Sequence, residues 1–195
     1  MRHLLAAFLA AIAMFMWGFT AWAALDLYKF AFPTVGTSSE SAIVSTLATE
    51  LPEDGAYFVP HVPAGYGQGT EDPAKQAEFD SFETRMRTGP TALILFHKGG
   101  SEPMDPMEFV RGFAVEFVSA LLLACVLSSV SGGFGRRAYV GFTIALFAST
   151  ACFGVMGNFM HMPLAFIGAF WLDTIFAWTM CAVIIAWILP ARRTA

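Results

Sequence analysis

The sequence predicts a mainly α membrane protein: four transmembrane helices, with a small α+β extracytoplasmic domain between helices one and two. Three observations lead there. Leu4–Leu25, Gly112–Gly135, Ala138–His161 and Met162–Pro190 are apolar stretches that carry two acidic residues between them, Glu116 and Asp173, and no Lys or Arg. Each is long enough to cross ~30 Å of hydrocarbon, which takes ~20 helical residues. The chain is 56% hydrophobic and only 13% charged, against about 25% charged in soluble domains. Its charge is also split by region. Residues 26–108 hold 13 acidic and 5 basic residues, whereas the rest of the chain holds 2 acidic and 6 basic.

The first transmembrane helix is assigned to residues 1–25. Its first half is rich in alanine (Ala6, Ala7, Ala10, Ala11, Ala13), and small residues let membrane helices approach closely. Trp17 and Trp22 fall toward its far end, where indole rings favour the membrane interface. Ala21-Trp22-Ala23 looks like a signal-peptide cleavage site, but the length of the apolar stretch favours an uncleaved anchor.

Residues 26–108 are expected to form the extracytoplasmic α+β domain. Ser38 or Ser39 can cap a helix carrying Ile43, Val44, Leu47 and Leu51 at helical spacing, ended by Pro52 and Gly55. Ala56–Val59 reads as a short strand limited by Pro60 and Pro63, and Pro60–Thr70, rich in Gly and Pro, as a loop. Lys75–Met86 reads as a second helix with Phe79 and Phe82. Thr91–His97 is the better of the two strands. Two strands and two helices make a small core, so the domain is expected to lean on the membrane helices or on a partner.

Helices two, three and four are assigned to residues 109–131, 138–160 and 164–190. The short loop at 131–135 predicts that helices two and three are antiparallel neighbours, and a second short turn joins three to four. Arg2, Arg136, Arg137, Arg192 and Arg193 all fall on one side of this arrangement. Cytoplasmic loops are enriched in Lys and Arg, so both termini are predicted in the cytoplasm and residues 26–108 outside. Cys125, Cys152 and Cys181 lie on three different spans and read as small apolar residues, since no Cys-x-x-Cys pairs them.

Glu116 and Asp173 are the main candidate site residues. An ionisable group in hydrocarbon costs at least ~2.5–3.5 kcal/mol and so faces protein or water. Counted from the outer ends of the spans, Glu116 is about 8 Å deep and Asp173 about 15 Å, at ~1.5 Å per residue. Asn158, on helix three, is near the outer edge of the same half. Together they predict either an outward-facing polar cavity, for a cation, a proton or a polar headgroup, or plain interhelical hydrogen bonding. Arg111, placed one residue outside helix two, is expected to pair with Glu108 at i, i+3 or to meet an anionic lipid or a partner's carboxylate. Met160-His161-Met162, with Met156 a turn earlier, is a weak soft-metal pattern; ten methionines make such a cluster a chance expectation. His61 and His97 have neither a nucleophile nor metal-type spacing beside them. There is no phosphate-binding glycine loop, no haem-attachment motif and no basic face for nucleic acid. No catalytic residues and no cofactor are therefore predicted.

Met14-Phe15-Met16-Trp17-Gly18, Gly55–Pro60, Thr88-Gly89-Pro90 before a strand ending in His97, Pro103-Met104 and Gly135-Arg136-Arg137 run in an order that resembles small uncharacterised bacterial inner-membrane proteins. That resemblance implies the layout and no activity. The layout is also similar to that of claudins, but these carry a cysteine pair in the outer segment and residues 26–108 have none. The function expected is that of a non-enzymatic accessory or scaffolding subunit, in contact with membrane lipid and with a protein partner or further copies of itself. The alternative is a small transport or sensing module whose cavity is lined by Glu116 and Asp173.

Overall fold

A computed structural model describes residues 1–190. Arg192 and Arg193, used above to orient the chain, lie outside them. In chain order the elements are α1 (Arg2–Phe19), continued by a π-helical turn (Thr20–Ala24), α2 (Leu27–Ala31), α3 (Thr37–Glu50), β1 (Gly55–Val59), α4 (Pro73–Thr88), β2 (Ala92–Phe96), α5 (Pro106–Ser129), α6 (Phe134–Phe159) and α7 (Leu164–Ile188). The helix α1 with its π turn, α5, α6 and α7 are four helices long and apolar enough to cross a membrane. The chain is a multi-pass membrane protein. It divides into two units, Met1–Thr34 with Pro103 onward, and Val35–Glu102. The second unit falls within residues 26–108. The short helix α2, which alternating composition does not announce, packs on α7 through Phe32, whose ring is 5.3 Å from Phe166 and 6.2 Å from Phe170.

In the helical unit one buried cluster joins three helices: Ala6, Ala7, Ala10 and Met14 of α1, Ala120, Leu123, Ala124 and Leu127 of α5, and Cys181, Ala182, Ile185 and Leu189 at and beyond α7. Ala6, Ala7, Ala10 and Ala11 of α1 are fully buried, as expected of small residues that set a close helix approach. A correction concerns helix neighbours. Although α5 and α6 are joined by a short loop, they touch little; α6 packs on α7, and α1 on α5 and α7. Gly141 explains the preference. A Cβ at this position would lie 2.2 Å from Ala182 Cβ, so the absent side chain is what lets α6 and α7 meet.

Arg137 is the one buried cation among the described residues of this unit, only 2% exposed. Its guanidinium donates from Nη1 to the Pro190 carbonyl (3.1 Å) and from Nη2 to the Leu189 carbonyl (2.8 Å). The carbonyls at a helix end have no intrahelical donors, and a cation there also complements the helix dipole. Read in the sequence as an orienting charge, Arg137 is also a cap for α7. Arg137→Ala is expected to cost about 2–4 kcal/mol, from two charge-assisted bonds lost and two carbonyls left unpaired. Arg137→Lys should recover part of that, because one ammonium cannot fork across two carbonyls. Thermal unfolding in mild detergent measures both.

In the second unit β1 and β2 pair antiparallel, from Gly55 opposite Phe96 to Val59 opposite Ala92. The expected strands and second helix are present. Asp72 caps α4 by accepting from the Ala74 N–H (2.9 Å), with Pro73 at the first helical position, a favoured pairing of cap and proline. Phe79 and Phe82 are buried with the Tyr66 ring 5.6 and 4.9 Å from theirs, edge to face. The first helix differs from expectation. It is preceded by Gly36 without any side-chain cap, so Ser38 and Ser39 lie inside α3, and Ile43 and Val44 are exposed.

Asp54 ties the strand ends. Its carboxylate accepts from the Lys98 backbone N–H (2.7 Å) and meets His97 Nδ1 (2.6 Å). These two groups hold the Asp54 carboxyl below its ordinary range, the Lys98 bond being the larger cause. A lowered carboxyl stabilises the fold above its unfolded-state value of ~3.9 and loses that contribution as pH falls through the folded-state value. The Lys98 amide chemical shift should thus show a movement below about pH 4 as the carboxyl is protonated. In the Asp54→Asn protein that low-pH movement should be absent.

Candidate functional site

Asp173 lies in α7 among aromatic neighbours, and two tryptophans of the first span reach it. Trp17 Nε1 donates to one carboxylate oxygen (2.7 Å) and Trp22 Nε1 to the other (3.0 Å). The rings are held as well: Trp17 is 4.1 Å from Phe176 and Trp22 is 4.8 Å from Phe170. Phe170, Asp173 and Phe176 follow at i, i+3 and i+6 and so share one face of α7. The two tryptophans are five residues apart, and a regular α-helix would set them about 140° from each other. The π turn at Thr20–Ala24, closed by the Leu25 N–H on the Thr20 carbonyl (2.8 Å), changes that register. Turns of this i→i+5 kind widen a helix locally, and here one follows Trp17 and contains Trp22. The carboxylate is thereby given two charge-assisted donors, the usual way for a buried acid to be tolerated.

Glu116 is placed differently. It lies ten residues past the start of α5, as Asp173 lies nine past the start of α7, about 15 and 14 Å along the helices at ~1.5 Å per residue. The helix α5 begins at Pro106, capped by Asp105 through the Met107 N–H (2.9 Å). Glu116 Oε2 is buried and has no hydrogen-bond partner among the described residues. The side chain lines an open cavity of about 380 Å³ with Phe15, Phe19, Trp22, Tyr28 and Phe109. Asp173 instead lines a separate cavity of about 450 Å³, with Trp17, Phe142 and Thr179. Trp22 is common to both acids, as a wall for Glu116 and a donor to Asp173.

The other candidates do not join this arrangement. Asn158 is exposed near the end of α6 and lines neither cavity. Arg111 lies inside α5 and not one residue before it. Its ion pair is with Asp105 (3.2 Å) and not with Glu108, because the capping aspartate at the helix start turns its second oxygen toward the following turn. Met160 and His161 are exposed in the turn between α6 and α7, Met162 is half-buried, and His161 has a positive φ of 51°. Among the described residues no three His, Cys, Asp or Glu side chains gather as a metal site would require.

A third feature escaped the sequence. Where α5 and α6 diverge, a groove of about 430 Å³ opens with α7 as its floor. Its lining is almost wholly apolar and includes small residues on every wall: Ser119 of α5, Gly141, Ala145, Ala148 and Ser149 of α6, and Thr174 of α7. Small side chains at helical spacing on α6 were the available signal; nothing in the pattern says that α5 leaves them uncovered. No family model, curated protein or solved structure matches this chain.

Proposed function

We propose that this protein is a non-enzymatic accessory or scaffolding subunit of a bacterial inner-membrane complex, with both termini cytoplasmic and residues 26–108 outside. The single observation that supports the assembly role is the groove between α5 and α6. Consecutive helices joined by a short loop normally pack on each other, and membrane helices associate through small residues that allow close approach. Here such residues are part of the lining of an open apolar groove of about 430 Å³. A transmembrane helix of another subunit, or of a second copy, fits that shape. The sidedness rests on the arginines of the short segments.

The alternative of a transport or sensing module lined by both acids has less support, because Asp173 has both oxygens engaged by tryptophans and lines a different cavity from Glu116. Gentle detergent extraction from native membranes, followed by mass spectrometry, tests the assembly role. A stoichiometric co-purifying membrane protein, or a defined homo-oligomer, is expected. A lone monomer at native expression contradicts it.

A further inference from the structure

The Glu116 cavity supports an inference that is independent of the groove and goes beyond the assembly role. A carboxylate with one buried, unpartnered oxygen stands among five aromatic rings, those of Phe15, Phe19, Trp22, Tyr28 and Phe109. The rings form a supported set: Phe19 stacks on Phe109 at 5.6 Å, and Phe15 meets Phe19 edge to face at 5.3 Å. Arg111 pairs with Asp105 and Lys29 with Asp26, and neither bonds Glu116 Oε2. Aromatic faces attract cations through their quadrupoles, most strongly when desolvated, and cages of this kind suit alkylated ammonium groups. A small inorganic cation would want several oxygen ligands, which this apolar wall does not offer. A volume of about 380 Å³ accommodates an organic headgroup.

We propose that the Glu116 cavity binds an amphiphilic alkylammonium cation, its charged head against the carboxylate and the aromatic rings and its chain in the surrounding lipid. The same chemistry is offered by the headgroup of a zwitterionic phospholipid and by a free alkylammonium amphiphile, and two measurements separate these sources.

The full-length protein in neutral maltoside detergent is titrated with dodecyltrimethylammonium and with its neutral near-isostere, the dimethylphosphine oxide of the same chain. The cation is expected to bind at least tenfold more tightly than the neutral isostere. Glu116→Gln should remove that preference, and Phe19→Leu should reduce it severalfold while keeping the wall apolar. Native mass spectrometry of protein released from mixed phosphatidylethanolamine and phosphatidylglycerol bilayers gives the second measurement. Selective retention of phosphatidylethanolamine, lost in Glu116→Gln, assigns the site to a lipid headgroup; cation binding without lipid preference assigns it to a free amphiphile. Equal binding of the cation and its isostere overturns the proposal. So does a folded Glu116→Gln protein that keeps the wild-type preference. The isostere comparison needs no variant, so a misfolded mutant does not protect the proposal from refutation.

Discussion

Asp173→Ala is expected to lower stability by about 2–4 kcal/mol, because it orphans two indole donors at about 1–2 kcal/mol each for a membrane hydrogen bond. The loss should be local in origin and visible as such. Trp17 and Trp22 each bond one oxygen of the carboxylate, so both indoles should become more mobile, and tryptophan emission should shift and quench more readily with brominated lipid. Asp173→Asn keeps one carbonyl acceptor and should lose roughly half as much. Trp17→Phe and Trp22→Phe, each combined with Asp173→Asn in a double-mutant cycle, should give a positive coupling for both pairs. Unchanged thermal midpoints in Asp173→Ala would mean that the two indoles do not fasten the first span to α7.

The second large effect concerns the contact of α6 and α7. Gly141→Val is expected to destabilise by more than about 3 kcal/mol, beyond the ordinary 1–3 kcal/mol of overpacking, since its Cβ would meet Ala182 Cβ at 2.2 Å and the Ala182 Cα at 3.5 Å. Backbone cannot swing aside as a long side chain does. Gly157→Ala, whose Cβ would meet the flexible Ile167 side chain, Cγ1 nearest at 3.3 Å, should cost far less, and Gly154→Ala, with nothing within 4 Å, should be neutral or slightly stabilising through helix propensity. Combining Gly141→Ala with Ala182→Gly exchanges the two surfaces and should restore most of the loss. Thermal unfolding across this series ranks the four variants, and equal midpoints for the residue 141 and residue 154 substitutions would refute the close approach.

These positions show where the sequence was informative. Span number and approximate limits follow from apolar length, because hydrocarbon thickness sets a minimum that a chain either meets or does not. The strands and α4 are also legible, since the Gly- and Pro-rich loop at 60–70, the turn at Gly89-Pro90 and the apolar run 92–96 are local signals. Helix pairing is not. A membrane helix is apolar on every side, so hydrophobic periodicity no longer tells which side meets protein. That is why the separation of α5 from α6 and the shared core of α1, α5 and α7 come only from the structure. The acids were identified as sites by the cost of burying charge, but their different fates depend on the π turn at Thr20–Ala24, which has no sequence signature of its own. Arg137 carried its signal in plain view; a charge counted for orientation hid one that also caps a helix.

The groove between α5 and α6 makes the central claim, and photo-crosslinking within it tests that claim most directly. A photoreactive residue at Leu122 or Ala148, both on its walls, is compared with one at Phe147, which is exposed and does not line it. In native membranes the groove positions should crosslink to one recurrent transmembrane segment, of a partner or of a second copy, and Phe147 should give none. Crosslinks to lipid alone at all three positions would contradict the assignment of this protein as a subunit.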